Sequence, residues 1–224
     1  MRQFYTWSIH DDYARYWTIE AIVSEELYDR EYSDKNRINK LEKSNNAQLY
    51  LSLSSNPLNL DKWNPPIIKE DIDNDKGILK KGDFHSAWSY ESNIVSQNMV
   101  DKLGSVLKEY GQLFLLEVED RDDKLYRYWV TKEIPFECVD KEKSKFFDND
   151  YSDDDVFKIE KLVLKEDCQV DAIIFRIKEE YKKTIFVSDE FIELVKKHNL
   201  KGFKFEIDTS YEYAVQNGSA ILIG

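Results

Sequence analysis

Residues 184–208 read TIFVSDEFIELVKKHNLKGFKFEID. Three patterns follow one another within these residues. Thr184–Val187 is a short apolar strand. Ser188 then stands where a helix N-cap belongs, and Asp189 and Glu190 place negative charge at the positive end of the helix dipole. Phe191, Leu194 and Val195 recur at helical spacing and predict a core-facing stripe, while Lys196, Lys197 and His198 suit the helix C-terminus. Gly202 ends the unit, and Phe203, Phe205 and Ile207 then alternate as a strand.

Working back from this block, Ile173, Phe175 and Ile177 alternate with Ile174, Arg176 and Lys178, which is strand spacing with one apolar face. Leu113–Val118 and Leu125–Val130 flank the charged segment Glu119–Asp123 and predict an antiparallel hairpin. Before them, Ser96 is placed to cap a helix over Gln97–Tyr110. Val100, Leu103, Leu107 and Tyr110 share one face of that helix, and Gly111 is its stop signal. Gly104, inside the helix, points to a close approach by a neighbouring element. The N-terminal third offers strands at Phe4–Ile9, Tyr16–Val23 and Gln48–Leu53, with a polar surface segment from Tyr32 to Asn46. Asn64-Pro65-Pro66 interrupts regular structure before Ile67.

Hairpins without a steady βαβ rhythm predict an α+β fold: a mixed, mainly antiparallel sheet with a few packed helices. Residues 1–90 form a variable, β-rich N-terminal region, either separate or part of the same domain. Residues 91–224 form the main α+β domain.

The 224 residues suffice for a large core, and 14 Tyr, 12 Phe and 5 Trp supply aromatic bulk for it. The formal net charge of −12 has the wrong sign for a duplex nucleic-acid binder and disfavours anionic membranes. It suits a basic protein partner. The N-terminus lacks the apolar core of a signal peptide, and no apolar run approaches the ~20 residues of a membrane span. Cys138 and Cys168 are too few for a disulfide framework, so the expected location is the reducing cytoplasm.

Catalytic equipment is scarce. His10, His85 and His198 have no zinc spacing with one another or with the cysteines. An EF-hand loop starting at Asp148 would need Gly at its sixth position and Glu at its twelfth, where Asp153 and Ile159 stand. Glu117 and Glu119 share one side of a strand, and only an approach by Asp140 would make a magnesium site of them. There is no GxSxG elbow, P-loop or dinucleotide fingerprint, and Cys138 reads as a buried inert thiol in a strand-like setting. No catalytic residue, metal ligand or cofactor is assigned.

The order of segments carries one further signal. SQNMVDKLGSVLKEYG (96–111) and QLFLLEVE (112–119) are followed by LYRYWVTKEI (125–134) and CVDKEKSKF (138–146), then by KIEKLVLKEDCQVDAIIFRIK (158–178) and the 184–208 block. This series resembles the bacterial immunity-protein family numbered eleven, whose members accompany polymorphic toxins. The likeness rests on Val139-Asp140 through Ser144, on Ile174-Phe175-Arg176, and on Ile185–Phe205 with Leu200 and Gly202. It spans roughly residues 90–208 and implies a cytoplasmic protein that binds a cognate toxin without catalysis. Asp140, Ser144, Phe175, Ser188 and Gly202 are its motif residues, with structural bracing the favoured role. Such a binder needs about −12 kcal/mol or more, over an interface of about 1,600 Å². Charge and exposure nominate Asp148, Asp150, Asp153, Asp154 and Asp155 as partner contacts, and Asp120, Asp122 and Asp123 as a second set. The competing readings are a binding or structural module with an unrelated partner and, last, a metal-dependent hydrolase.

Overall fold

Phe4–Ile9, near the start of the chain, lies in the middle of a sheet built otherwise from the second half of the chain. A computed structural model describes residues 3–9, 16–19, 67–71, 81–87, 93–118, 124–148, 157–180, 184–209 and 221–223. Strand β1 (Phe4–Ile9) pairs antiparallel with β12 (Phe186–Ser188) on one side and with β13 (Phe203–Glu206) on the other. The six-stranded sheet continues outward through β14 (Ile221–Ile223) at one edge. At the other it runs through β11 (Ile174–Ile177) to β8 (Glu133–Ile134), giving the order β14-β13-β1-β12-β11-β8. Only the last pairing, β11 with β8, is parallel.

A second layer is a closed six-stranded barrel. Its strands are β2 (Tyr16–Ile19), β3 (Ile67–Asp71), β4 (Phe84–Ala87), β5 (Asn93–Ser96), β6 (Gly111–Val118) and β7 (Lys124–Val130), in the order β2-β3-β6-β7-β5-β4. The β6–β7 hairpin is in register from Gly111↔Val130 to Glu117↔Lys124, as the sequence predicts. A short ribbon of β9 (Lys145–Asp148) and β10 (Phe157–Lys161) completes the strands among the described residues. With helices α1 (Gln97–Tyr110) and α2 (Asp189–Lys197), the chain is an α+β protein.

The sheet buries both faces. On one, Tyr5 and Trp7 of β1 join Val187, Phe203 and Phe205, the α1 residues Met99, Leu103 and Leu107, and the α2 residues Phe191 and Val195. The Trp7 ring lies 5.0 Å from Phe84, 5.0 Å from Phe191, 5.8 Å from Phe203 and 6.0 Å from Tyr128, so barrel, helix and sheet meet on one indole. On the other face Phe4, Phe175, Ile177 and Phe186 pack under Val139, Ile159, Leu162 and Leu164. Burial on both faces corrects the one-sided reading of β11, in which all four residues are buried.

Helix α1 has the predicted bounds, and the Ser96 hydroxyl accepts the Met99 N–H at 3.1 Å as its cap. The same hydroxyl donates to Asp83 at 2.7 Å. That buried carboxylate also accepts from the Asn98 amide and the Lys201 N–H, both at 2.9 Å, and so ties the start of α1 to the loop before β13. Ser188 occupies the N-cap position of α2, but its side chain makes no capping bond. Close approach falls at a different glycine from the one expected. A Cβ on Gly104 would meet only Val100, at an ordinary 3.5 Å, whereas one on Gly111 would collide with the Trp129 carbonyl and lie 2.6 Å from the Tyr128 ring. Gly202, at φ 91°, does need a residue tolerant of positive φ, and Asn199 before it sits at φ 51°. The expected strand at 48–53 and the polar segment at 32–46 lie outside the described residues.

Candidate partner-binding surface

The turn before the β9–β10 ribbon holds two of the motif residues, Asp140 and Ser144, while Phe175, Ser188 and Gly202 lie elsewhere in the fold. The Asp140 carboxylate accepts the N–H groups of Glu142 and Lys143, each at 3.2 Å, and pairs with the Lys143 ammonium at 3.0 Å. The Lys143 side chain is the main reason its pKa falls below the ordinary carboxylate value. The two backbone N–H groups and the Lys143 charge add to the effect, and partial burial opposes it. Four residues on, the Ser144 hydroxyl donates to the Val163 carbonyl at 3.1 Å and accepts the Val163 N–H at 2.9 Å, clamping the turn to the segment after β10. Asp140 therefore faces its own turn and Lys143. Among the described residues no group of three His, Cys, Asp or Glu side chains converges to hold a metal.

The cysteines correct the sequence reading. Cys138 ends a 3-10 turn, Phe136–Cys138, rather than lying in a strand. It is half-buried and is disulfide-bonded to Cys168. The physical reason is non-local. The bridge between Val139 and Leu164 aligns the two segments and brings positions 30 residues apart to a Cα separation of 5.6 Å.

Phe175 and Arg176 of the second motif divide between the two faces. Phe175 is fully buried, 5.1 Å from the Phe4 ring and edge-on to it. Arg176 donates to Glu133 at 2.9 Å, and its guanidinium lies 4.5 Å from the centre of the Trp129 ring, which Arg127 also approaches at 5.4 Å. Nothing in the local spelling of TKEI or IFRI marks this stack, because it depends on the parallel pairing of β8 with β11. Tyr5 reaches Asp189 at the start of α2. Its pKa is pushed up to about 12, first by burial and then by the hydrogen bond to Asp189 and that carboxylate's charge.

A second buried carboxylate holds the ribbon from below. Glu180, 2% exposed, accepts the Ile159 N–H of β10 at 2.9 Å, together with the Thr184 N–H at 2.9 Å and hydroxyl at 2.8 Å. Burial raises its pKa, against the lowering effect of these hydrogen bonds and of the Lys158 charge. Above the ribbon, Phe147 is 55% exposed, one of two large hydrophobic side chains so exposed among the described residues. The other is Leu222 on the edge strand β14.

Both acidic stretches nominated from the sequence belong to hairpin connections. Asp148 is the last residue of β9 and pairs with Phe157, and Asp150, Asp153, Asp154 and Asp155 lie between them, outside the described residues. Asp120, Asp122 and Asp123 fall between β6 and β7 and are likewise outside. Phe147 was not nominated, and its only signal in the sequence is an aromatic next to Asp148 on a short strand.

Residues 112–207 match the model of an immunity protein family, Imm11, from β6 to just beyond β13. No curated protein matches the chain. Among the described residues, no helix is long and apolar enough to cross a membrane.

Proposed function

We propose that this chain neutralises a cognate bacterial toxin in the cytoplasm by binding it, without catalysis. The observation that carries this reading is the family match over residues 112–207. The toxin is basic, since a chain of net charge −12 attracts and captures such a partner fastest. The contact surface is the outer side of the β9–β10 ribbon and its connection. Phe147 is the aromatic anchor, Asp148, Asp150, Asp153, Asp154 and Asp155 form the acidic rim, and Asp120, Asp122 and Asp123 add a second rim. Asp140 and Ser144 hold the turn behind the anchor. Residues 1–90 act as part of the same folded unit through β1 and the barrel strands.

The test is co-expression with a toxin encoded beside the gene, scored for growth and for a complex that survives gel filtration. Rescue together with a stable complex is the expected result. Rescue without a complex would defeat direct blocking, and no rescue by any neighbouring toxin would defeat the immunity reading. Phe147→Ala should weaken the complex at least tenfold with the fold intact. Charge removal at 148–155 should slow association and flatten its salt dependence.

A further inference from the structure

We propose that Cys138 and Cys168 form a reversible oxidation site, closed by low-molecular-weight disulfides and opened by thiols while the protein stays folded. Three observations point this way, and none depends on the toxin-binding reading. Both cysteines are half-buried rather than sealed in the core, a setting in which thiol–disulfide exchange does not require the fold to open. The segments they join are also held by bonds that do not involve sulfur. The Asp140 N–H donates to the Val163 carbonyl at 2.8 Å, the Lys165 N–H to the Cys138 carbonyl at 2.9 Å, and Ser144 clamps Val163 from the side. Opening the disulfide therefore leaves the two thiols facing each other across an intact backbone pairing, ready to close again. Finally, the chain has only these two cysteines, so no internal thiol competes for either sulfur.

The chemistry balances as two exchange steps. One cysteine thiolate attacks a sulfur of oxidised glutathione, forms a mixed disulfide and releases one glutathione thiolate. The second cysteine thiolate then attacks the protein sulfur of that mixed disulfide and displaces the other glutathione. The protein loses two electrons and two thiol protons, and the glutathione disulfide is reduced to two thiols. In a compartment held by reduced glutathione the site stands open, and in an oxidising one it closes. The Phe136–Cys138 turn, just before Asp140, is joined to the 165–168 turn covalently in one state and by the Lys165–Cys138 hydrogen bond in the other.

The test equilibrates the purified full chain in buffers of stepped glutathione ratio. Each sample is quenched with a thiol-alkylating reagent and read by intact mass, with circular dichroism and a thermal melt alongside. The expected result is a single reversible transition in alkylation of two sites. It should run from mostly closed to mostly open over about a hundredfold change in [GSH]²/[GSSG], with an unchanged spectrum and a lower melting temperature when open. The C138S/C168S variant should reproduce the open form's melt and lose the glutathione dependence. The proposal is overturned if native protein resists reduction until it unfolds, if the thiols never close, if closure yields dimers on a non-reducing gel, or if the open wild-type chain loses its folded spectrum.

Discussion

The two faces of the six-stranded sheet are held by different means. On the first face, two helices and the barrel deliver aromatic rings to a shared centre, and Trp7 alone has four rings within about 6 Å. On the second, the cover is a two-stranded ribbon and two turns, with a smaller apolar cluster beneath. Its clamps are the disulfide, the Ser144–Val163 pair, the Asp140 turn and the Glu180 hub, beside the Asp83 hub that ties α1 to the loop before β13 on the first. Where less apolar area is available to bury, order comes from directed bonds, which act on particular segments rather than on the whole core. This braced cover is also where the exposed Phe147 sits.

Breaking the first face should cost most. Trp7→Ala opens a cavity shared by sheet, barrel and α2 and should destabilise by about 3–5 kcal/mol, measured by denaturant titration with a cooperative transition. A much smaller loss would mean that the barrel and sheet do not share one core. Removing the disulfide with C138S/C168S comes next. A crosslink over 30 residues restricts the unfolded chain by about 3–4 kcal/mol in the chain-entropy account, so this difference bounds the shift in unfolding free energy from above. Ser144→Ala strands the Val163 N–H, leaves the Val163 carbonyl with the Asp140 N–H, and should cost about 1–2 kcal/mol. If the ribbon opens separately, faster amide exchange should be confined to the second face.

The smallest effect is one of pH, and its sign distinguishes two carboxylates of the same cover. Glu180 has a raised pKa in the folded state. Its stabilising contribution is full below its unfolded value and is lost as pH rises through the folded value. Asp140 has a lowered pKa. Its contribution is full above the unfolded value and is lost as pH falls through the folded one. The stability differences of E180A and D140N from wild type should therefore change in opposite directions as pH falls from neutral toward 4. Parallel changes in guanidinium titrations at stepped pH would show that burial does not dominate at Glu180.

Local pattern carried much of this architecture. The Ser96 cap, the bounds of α1, the β6–β7 register and the Phe203/Phe205 alternation all depend on neighbours within a few residues, or on a hairpin that joins adjacent strands. The motif residues Asp140 and Ser144 came from the resemblance, and of the two only the Asp140 turn closes on its own next three residues. What stayed hidden was long-range. Asp83 has partners 13, 15 and 118 residues away, and no window of sequence shows that three donors converge on it. The Arg176–Trp129–Arg127 stack and the Cys138–Cys168 bond depend on strands and turns meeting across the fold, so both cysteines look isolated when read along the chain.

By itself, the order of apolar, capping and turn residues determined the fold class and the helices at 97–110 and 189–197, because those follow from steric and hydrogen-bonding preferences acting over one or two turns of chain. Only the tertiary structure decided that β1 would sit between β12 and β13, that both faces of the sheet would be buried, and that two distant cysteines would meet. Pairing between remote strands is selected by the total burial of the finished core, a quantity that no short stretch of the chain contains.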